Sequence, residues 1–180
     1  MWGDFFLFGS LAAWAISSSP LILGFDLTNA TKMAEALPIV SNPTALAINQ
    51  QFVDARRHLP LAGGMVRSST EKFSANTAHG AGSTSGPNAS FPVWQVWAKP
   101  QPQGCVAVLL INLASDQARD LSISLADLGL DPAARYQATD VWSGKQLAPP
   151  AGGQWKAEAV APHGSEFAVL APAPGAGARQ

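Results

Sequence analysis

Pro20-Leu21-Ile22-Leu23-Gly24 is a continuous apolar run held between a proline and a glycine. Unbroken rather than alternating apolarity fits a strand covered on both faces, as in a parallel sheet flanked by helices. Proline is tolerated at the first position of such a strand, and the glycine ends it. On the N-terminal side stands a second apolar block, Trp2 to Ile16, with Phe5, Phe8, Ala12 and Ala15 at three–four spacing. Two readings of that block stay open. One is a buried amphipathic helix. The other is a signal peptide with Ser17-Ser18-Ser19 as its small residues, although Asp4 stands where a basic residue is expected. The block is too short for a transmembrane helix, which takes about 20 apolar residues. On the C-terminal side a helix is expected over Thr31–Leu37, limited by Pro38. Another should start from Asn42 as N-cap, with Pro43 at its first position, and run to Gln51. Helix, buried strand, helix is the unit of a doubly wound sheet or a (β/α) barrel.

Further along, the text changes. From Leu61 to Pro92 it is Gly, Ser, Thr, Ala and Asn with no helical or strand period, so residues 58–91 are expected to form a linker or insertion. Beyond it, Val93–Lys99, Cys105–Asn112, Asp120–Leu125, Tyr136–Trp142, Gln154–Val160 and Ser165–Leu170 each read as a strand. Turn signals such as Asp131-Pro132, Ser143-Gly144-Lys145 and Pro162-His163-Gly164 separate them. Short strands so spaced predict an antiparallel sandwich over residues 92–171, and the Ala/Pro/Gly end, 172–180, reads as a disordered tail.

Composition narrows the function classes. In 180 residues, 11 basic against 12 acidic side chains leave a net charge of −1, too little to build a basic nucleic-acid face. Apolar residues make up 47%, which argues against disorder throughout. The single Cys105 excludes an internal disulfide framework and a multi-cysteine metal site. His58, His79 and His163 are far apart, with no companion ligands at zinc spacing. Ala62-Gly63-Gly64 follows no strand and opens no helix, so it is not a phosphate loop. No metal or cofactor is expected.

Seven ordered segments resemble a known family. Leu11-Ala12-Ala13-Trp14-Ala15-Ile16-Ser17-Ser18-Ser19-Pro20-Leu21-Ile22-Leu23-Gly24-Phe25-Asp26-Leu27 resembles the last helix–strand passage of the catalytic barrel of α-galactosidases (melibiases), glycoside hydrolase family 27. Asn42-Pro43-Thr44-Ala45-Leu46-Ala47-Ile48-Asn49-Gln50 resembles the barrel's closing helix, and Val93-Trp94-Gln95-Val96-Trp97-Ala98-Lys99-Pro100 the opening of the family's C-terminal β domain. Val106–Asn112, Asp127-Leu128-Gly129-Leu130, Asp140–Lys145 and Pro162-His163-Gly164 follow in the same order. The resemblance implies an α/β then all-β chain: residues 1–57 as the terminal βα portion of a (β/α)8 TIM barrel, followed by a C-terminal antiparallel β-sandwich.

It also implies what chemistry to look for. Retaining glycosidases use two carboxyl groups about 5–5.5 Å apart. In this family both are Asp at the ends of earlier barrel strands, which are expected upstream of Met1. The barrel-like part offers Asp4, Asp26, Glu35 and Asp54, none in a segment matching the catalytic motifs. No catalytic, substrate-binding or metal-binding residue is therefore carried over. Asp26 would lie near the barrel mouth, either supporting the sugar pocket or simply forming a turn. Trp94, Trp97, Trp142 and Trp155 are expected to pack rather than stack on sugars. Asn29 and Asn88 begin N-glycosylation triplets. By resemblance, the complete enzyme would act on a galactosyl oligosaccharide or glycoconjugate in a secretory, vacuolar, lysosomal or extracellular setting, with this chain inert. The alternative is a non-enzymatic secreted β-sandwich that binds carbohydrate or scaffolds, with an N-terminal signal sequence.

Overall fold

The computed structural model describes residues 3–22, 26, 28–51, 63–75 and 89–174. Three helices open the chain: α1 (Gly3–Ser17), α2 (Ala30–Val40) and α3 (Pro43–Gln50). Strands follow as β1 (Gly64–Ser68), β2 (Lys72–Ala75), β3 (Ala89–Pro92), β4 (Trp94–Pro100), β5 (Val106–Asn112), β6 (Arg119–Ser124), β7 (Tyr136–Asp140), β8 (Gln146–Leu147), β9 (Gln154–Val160) and β10 (Ser165–Pro172). One 3-10 turn, Pro102–Gly104, joins β4 to β5.

The main sheet has six antiparallel strands in the order β1-β4-β5-β10-β7-β8. A two-stranded sheet, β6-β9, lies over β5 and β10, and β2-β3 forms a separate hairpin. Side chains alternate across a strand, and here both faces of the main sheet are apolar. Val106, Val108 and Leu110 of β5 point toward β6–β9, where they meet Leu121, Ile123, Trp155 and Ala157. Ala107 and Leu109 point the other way, against Ala12, Ala15 and Ile16 of α1 and Ala45 and Ile48 of α3. Strand β10 does the same, with Ala168 and Leu170 on one side and Phe167 on the other. The result is three layers: helices, six-stranded sheet, two-stranded sheet.

Local sequence explains the helical layer. Leu11, Ala12, Ala15 and Ile16 share one face of α1, and the two alanines let the helix approach the sheet closely. Asn29 caps α2, its Oδ1 accepting from the Lys32 N–H at 3.1 Å, and Asn42 caps α3 in the same way from Ala45. The α2 helix continues through Pro38 rather than ending before it. In the last turn the proline removes only one helical hydrogen bond, and burial of Ile39 holds the turn in place.

Two expectations change. Leu21 and Ile22 are not in a strand, and Ile22 is 72% exposed. A strand needs neighbours for its ladder, and no other strand lies beside these residues among those described. Leu23 and Gly24 lie outside the described residues. The stretch read as free of strands contains β1, β2 and β3. Strand β1 pairs with β4 through Gly64↔Ala98 to Ser68↔Gln95, with Val66 packed against the inner core. One inward apolar residue is too few to give a visible period. The six later strands form as expected, within about two residues at each end. Of the tail, residues 175–180 lie outside the described region, while β10 itself runs to Pro172.

If the helices are integral to the sheet, Leu109→Ala on the helix side and Leu110→Ala on the sandwich side should cost similar stability. Both side chains are fully buried, and each truncation should cost about 2–5 kcal/mol. Urea midpoints of the two variants measure this; a small loss for Leu109→Ala alone would mean that the helices are only loosely attached.

Candidate functional site

Asp26 is exposed, and its Oδ1 accepts from both the Thr28 hydroxyl (2.7 Å) and the Thr28 N–H (2.9 Å). Those bonds, the hydroxyl's first, hold its carboxyl below the usual aspartate range. Its geometry is that of a turn former. No second carboxylate is brought to it among the described residues. Glu35 lies exposed on α2, and Asp54 is outside the described residues. Asn29 is exposed and already accepts a capping bond; Asn88, His58 and His79 fall outside the described residues. No group of three or more His, Cys, Asp or Glu among the described residues could hold a metal ion. No described helix is long and apolar enough to cross a membrane.

Trp94, Trp97, Trp142 and Trp155 pack. Trp94 leans on the inner core and Trp97 on the helix-side core, on opposite faces of β4 as their spacing of three requires. The Trp142 ring stands edge-on to Phe8 at 5.0 Å and tilted against Phe167 at 5.7 Å. Trp155 is 1% exposed. Cys105 is half-buried, and burial pushes its thiol pKa up, which disfavours the nucleophilic thiolate.

Three polar side chains tie the helices to the sheet and to one another. Lys99 follows Trp97 on the helix-facing side of β4 and is fully buried. Its ammonium donates to Ser18 Oγ (2.7 Å), to the Ile48 carbonyl, and to the Asn49 carbonyl (3.0 Å). The last two are carbonyls that the end of α3 leaves unpaired within the helix, where a cation is favoured. Asn49 Nδ2 donates to the Trp14 and Ser19 carbonyls at 3.0 and 2.9 Å. Asn42 Nδ2 donates to the Val141 and Trp142 carbonyls at 3.2 and 3.3 Å. Gly63 approaches the same junction with φ of 72°, and a Cβ there would sit 2.2 Å from the Ile16 carbonyl oxygen. Sequence reading took Lys99 as the end of a strand. Its place two residues after Trp97 on the same face was the available signal.

On the opposite face, Glu166 pairs across from Leu110 and so points toward the sandwich interior. Burial, and then the charge of Asp140, raise its carboxyl pKa above the usual range. It lines a groove of about 560 Å³ with Leu147, Pro149, Gln154, Trp155 and Glu158. Sequence reading missed this place altogether, because the groove is assembled from strands far apart in the chain.

Comparison with known proteins comes out consistently. Residues 92–170 match the alpha galactosidase C-terminal beta sandwich domain. Alpha-galactosidase 3 of Arabidopsis thaliana is 26% identical over 164 residues, covering 91% of this chain and 31% of that protein. A β-L-arabinopyranosidase of glycoside hydrolase family 27 from Geobacillus stearothermophilus superposes with a TM-score of 0.67 at 22% identity, over 94% of this chain and 30% of that one. An α-galactosidase from Saccharomyces cerevisiae gives 0.66 at 17% identity, over 94% and 44%. The chain spans about a third of the length of the Arabidopsis relative it matches.

Burial pushes the Lys99 pKa down from 10.5 to about 8. A folded-state value below the unfolded one means that, between these pH values, the unfolded chain binds a proton the folded chain has lost. Stability should therefore rise with pH across that window, by up to about 3 kcal/mol. The neutral amine keeps two N–H bonds for the carbonyls and accepts from Ser18, so the junction survives deprotonation. Lys99→Met should flatten this rise in urea midpoints recorded from pH 7 to 11; parallel profiles would refute it.

Proposed function

We propose that this chain is the C-terminal part of a retaining glycoside hydrolase of family 27, a reading supported by the match of residues 92–170 to the alpha galactosidase C-terminal beta sandwich domain. The complete enzyme would remove terminal α-D-galactosyl residues from oligosaccharides or glycoconjugates. The observation that supports this best is the continuity of the likeness, which runs through the helices as well as the sandwich, over 91% of the chain in the Arabidopsis relative. In this reading α1 to α3 are closing helices of a (β/α)8 barrel, and Asp26 lies in the turn after what would be its last strand.

The chemistry follows from what these residues lack as well as what they hold. Retention needs a nucleophilic carboxylate and an acid/base carboxyl facing each other across the glycosidic bond. Asp26, exposed and held ionised by Thr28, is unsuited to the acid, which needs a raised pKa. Both catalytic carboxylates are assigned to barrel strands outside these 180 residues. The sandwich and helices then serve the enzyme by covering the back of the barrel.

The packing of α1 favours a structural helix over a signal peptide. Cleavage after Ser19 would remove Leu11, Ala12, Ala15 and Ile16 and uncover the face of Leu109 and Phe167. A secretory, vacuolar, lysosomal or extracellular setting fits this family and belongs to the same proposal. The purified 180-residue protein should hydrolyse an aryl α-galactoside no faster than buffer, while co-expression with barrel strands one to seven of a relative should restore turnover. Hydrolysis by the 180 residues alone would overturn the reading.

A further inference from the structure

Two triplets of the pattern Asn-x-Thr open helices in this chain, Asn29-Ala30-Thr31 at α2 and Asn42-Pro43-Thr44 at α3. In both the asparagine is the N-cap and its Oδ1 is spent on the helix. Asn29 accepts from the Lys32 N–H at 3.1 Å, Asn42 from the Ala45 N–H at 3.0 Å. An asparagine amide also carries an NH₂ group, and here the two residues differ. Asn42 is half-buried, and its Nδ2 donates to the Val141 and Trp142 carbonyls. Nδ2 of Asn29 donates to nothing among the described residues. Residues 28–32 are all exposed. The Asn29 backbone is extended, with φ −80° and ψ 101°, and its N–H is anchored on the Asp26 carbonyl at 3.2 Å. Asp26, the turn former held by Thr28, thus sets the chain from which Asn29 projects.

We propose that Asn29 carries an N-linked glycan and that Pro43 keeps one off Asn42. In the transfer, Asn29 Nδ2 forms a bond to the anomeric carbon of an oligosaccharide carried on a lipid diphosphate. The bond from that carbon to the diphosphate oxygen breaks, the lipid diphosphate leaves, and one Nδ2 proton goes to a base of the transferase. Nothing is oxidised or reduced. Nδ2 keeps one hydrogen and Oδ1 keeps its lone pairs, so the α2 cap survives the modification. At Asn42 the same step would remove a hydrogen from the group that ties α3 to the turn after β7. It would also force a sugar ring into half-buried space. A proline at the middle position disqualifies such a triplet, and at the first position of a helix it is well tolerated. The site rests on the proposed secretory setting, where such donors are met, and extends that reading to a named atom.

The test supplies that setting, so that failure speaks to the site and not to where the protein resides. The 180-residue protein is secreted from yeast behind a cleavable leader, with Asn88→Gln removing the triplet at 88–90. Peptide-N-glycosidase should lower its mass by one glycan, and peptide mapping should place the change at residue 29. Asn29→Asp and Thr31→Ala should each abolish the shift, while Thr31→Ser should keep it. Aspartate preserves the capping oxygen, so Asn29→Asp should match its parent in circular dichroism. In the Asn29→Asp background, Pro43→Ala should bring a glycan onto Asn42. That product should unfold at lower urea than the same chain made without sugar in bacteria, and its retention inside the yeast cell counts the same way. A parent protein bare at residue 29 overturns the site and leaves the glycosidase reading untouched. A bare Pro43→Ala chain, or a glycosylated one with an undiminished urea midpoint, overturns the role given to Pro43.

Discussion

A sheet with two apolar faces must be covered twice. Strands β5 and β10 set this condition, because consecutive side chains along them are buried without a break: Val106 through Leu110 on one, Phe167 and Ala168 on the other. An antiparallel sheet facing water on one side would alternate apolar with polar, and these strands do not. The inner face is closed by β6 and β9 with Ile123 and Trp155, the outer face by α1 and α3 with Ile16 and Ile48. Everything else in the architecture follows from supplying those two covers.

The helical cover is held by polar groups as well as by area. Alanines at positions 12, 15 and 45 give close approach but little surface, and apolar contact alone does not fix how a helix sits on a sheet. The three clamps supply the register. Lys99 reaches from β4 into the C-terminal end of α3, Asn49 ties that end to α1, and Asn42 ties the start of α3 to the turn after β7. Each satisfies backbone carbonyls that a helix end or a turn leaves open. Burying an ammonium is expensive in isolation; with three oxygen acceptors around it, the cost shows as a lowered pKa rather than as unfolding.

What could be read in the sequence follows from how local the signal is. The six later strands were legible because inward and outward residues alternate, or are uniformly apolar, over five to seven positions with Gly or Pro between them. The caps at Asn29 and Asn42 were less evenly visible: Asn42 with Pro43 stood out, while Asn29 appeared only as a glycosylation triplet. Strand β1 was hidden because Val66 alone points inward and Met65 is exposed. Leu21 to Leu23 read as a strand by composition, yet a strand is a relation between segments, and among the described residues no partner strand lies beside Leu21 and Ile22. Lys99 and Glu166 were out of reach for the same reason. Their meaning lies in contacts some 50 residues away for Lys99, and in a groove built from β8, β9 and β10 for Glu166.

The likeness to a known domain begins at residue 92, but the packing does not stop there. The outer core joins Ala12, Ala15, Ile16, Ala45 and Ile48 to Ala107, Leu109, Val141 and Phe167, so a piece cut at residue 92 would present an uncovered apolar face. In a complete (β/α) barrel the same helices have a second obligation, since their other side must pack on barrel strands. Among the described residues, Trp14 at 41% and Leu37 at 49% exposure are large apolar side chains left uncovered on this layer. A helix that serves two cores at once transmits the position of one to the other. In the proposed enzyme, a sandwich that fixes these helices would in this way also fix the part of the barrel against which they pack.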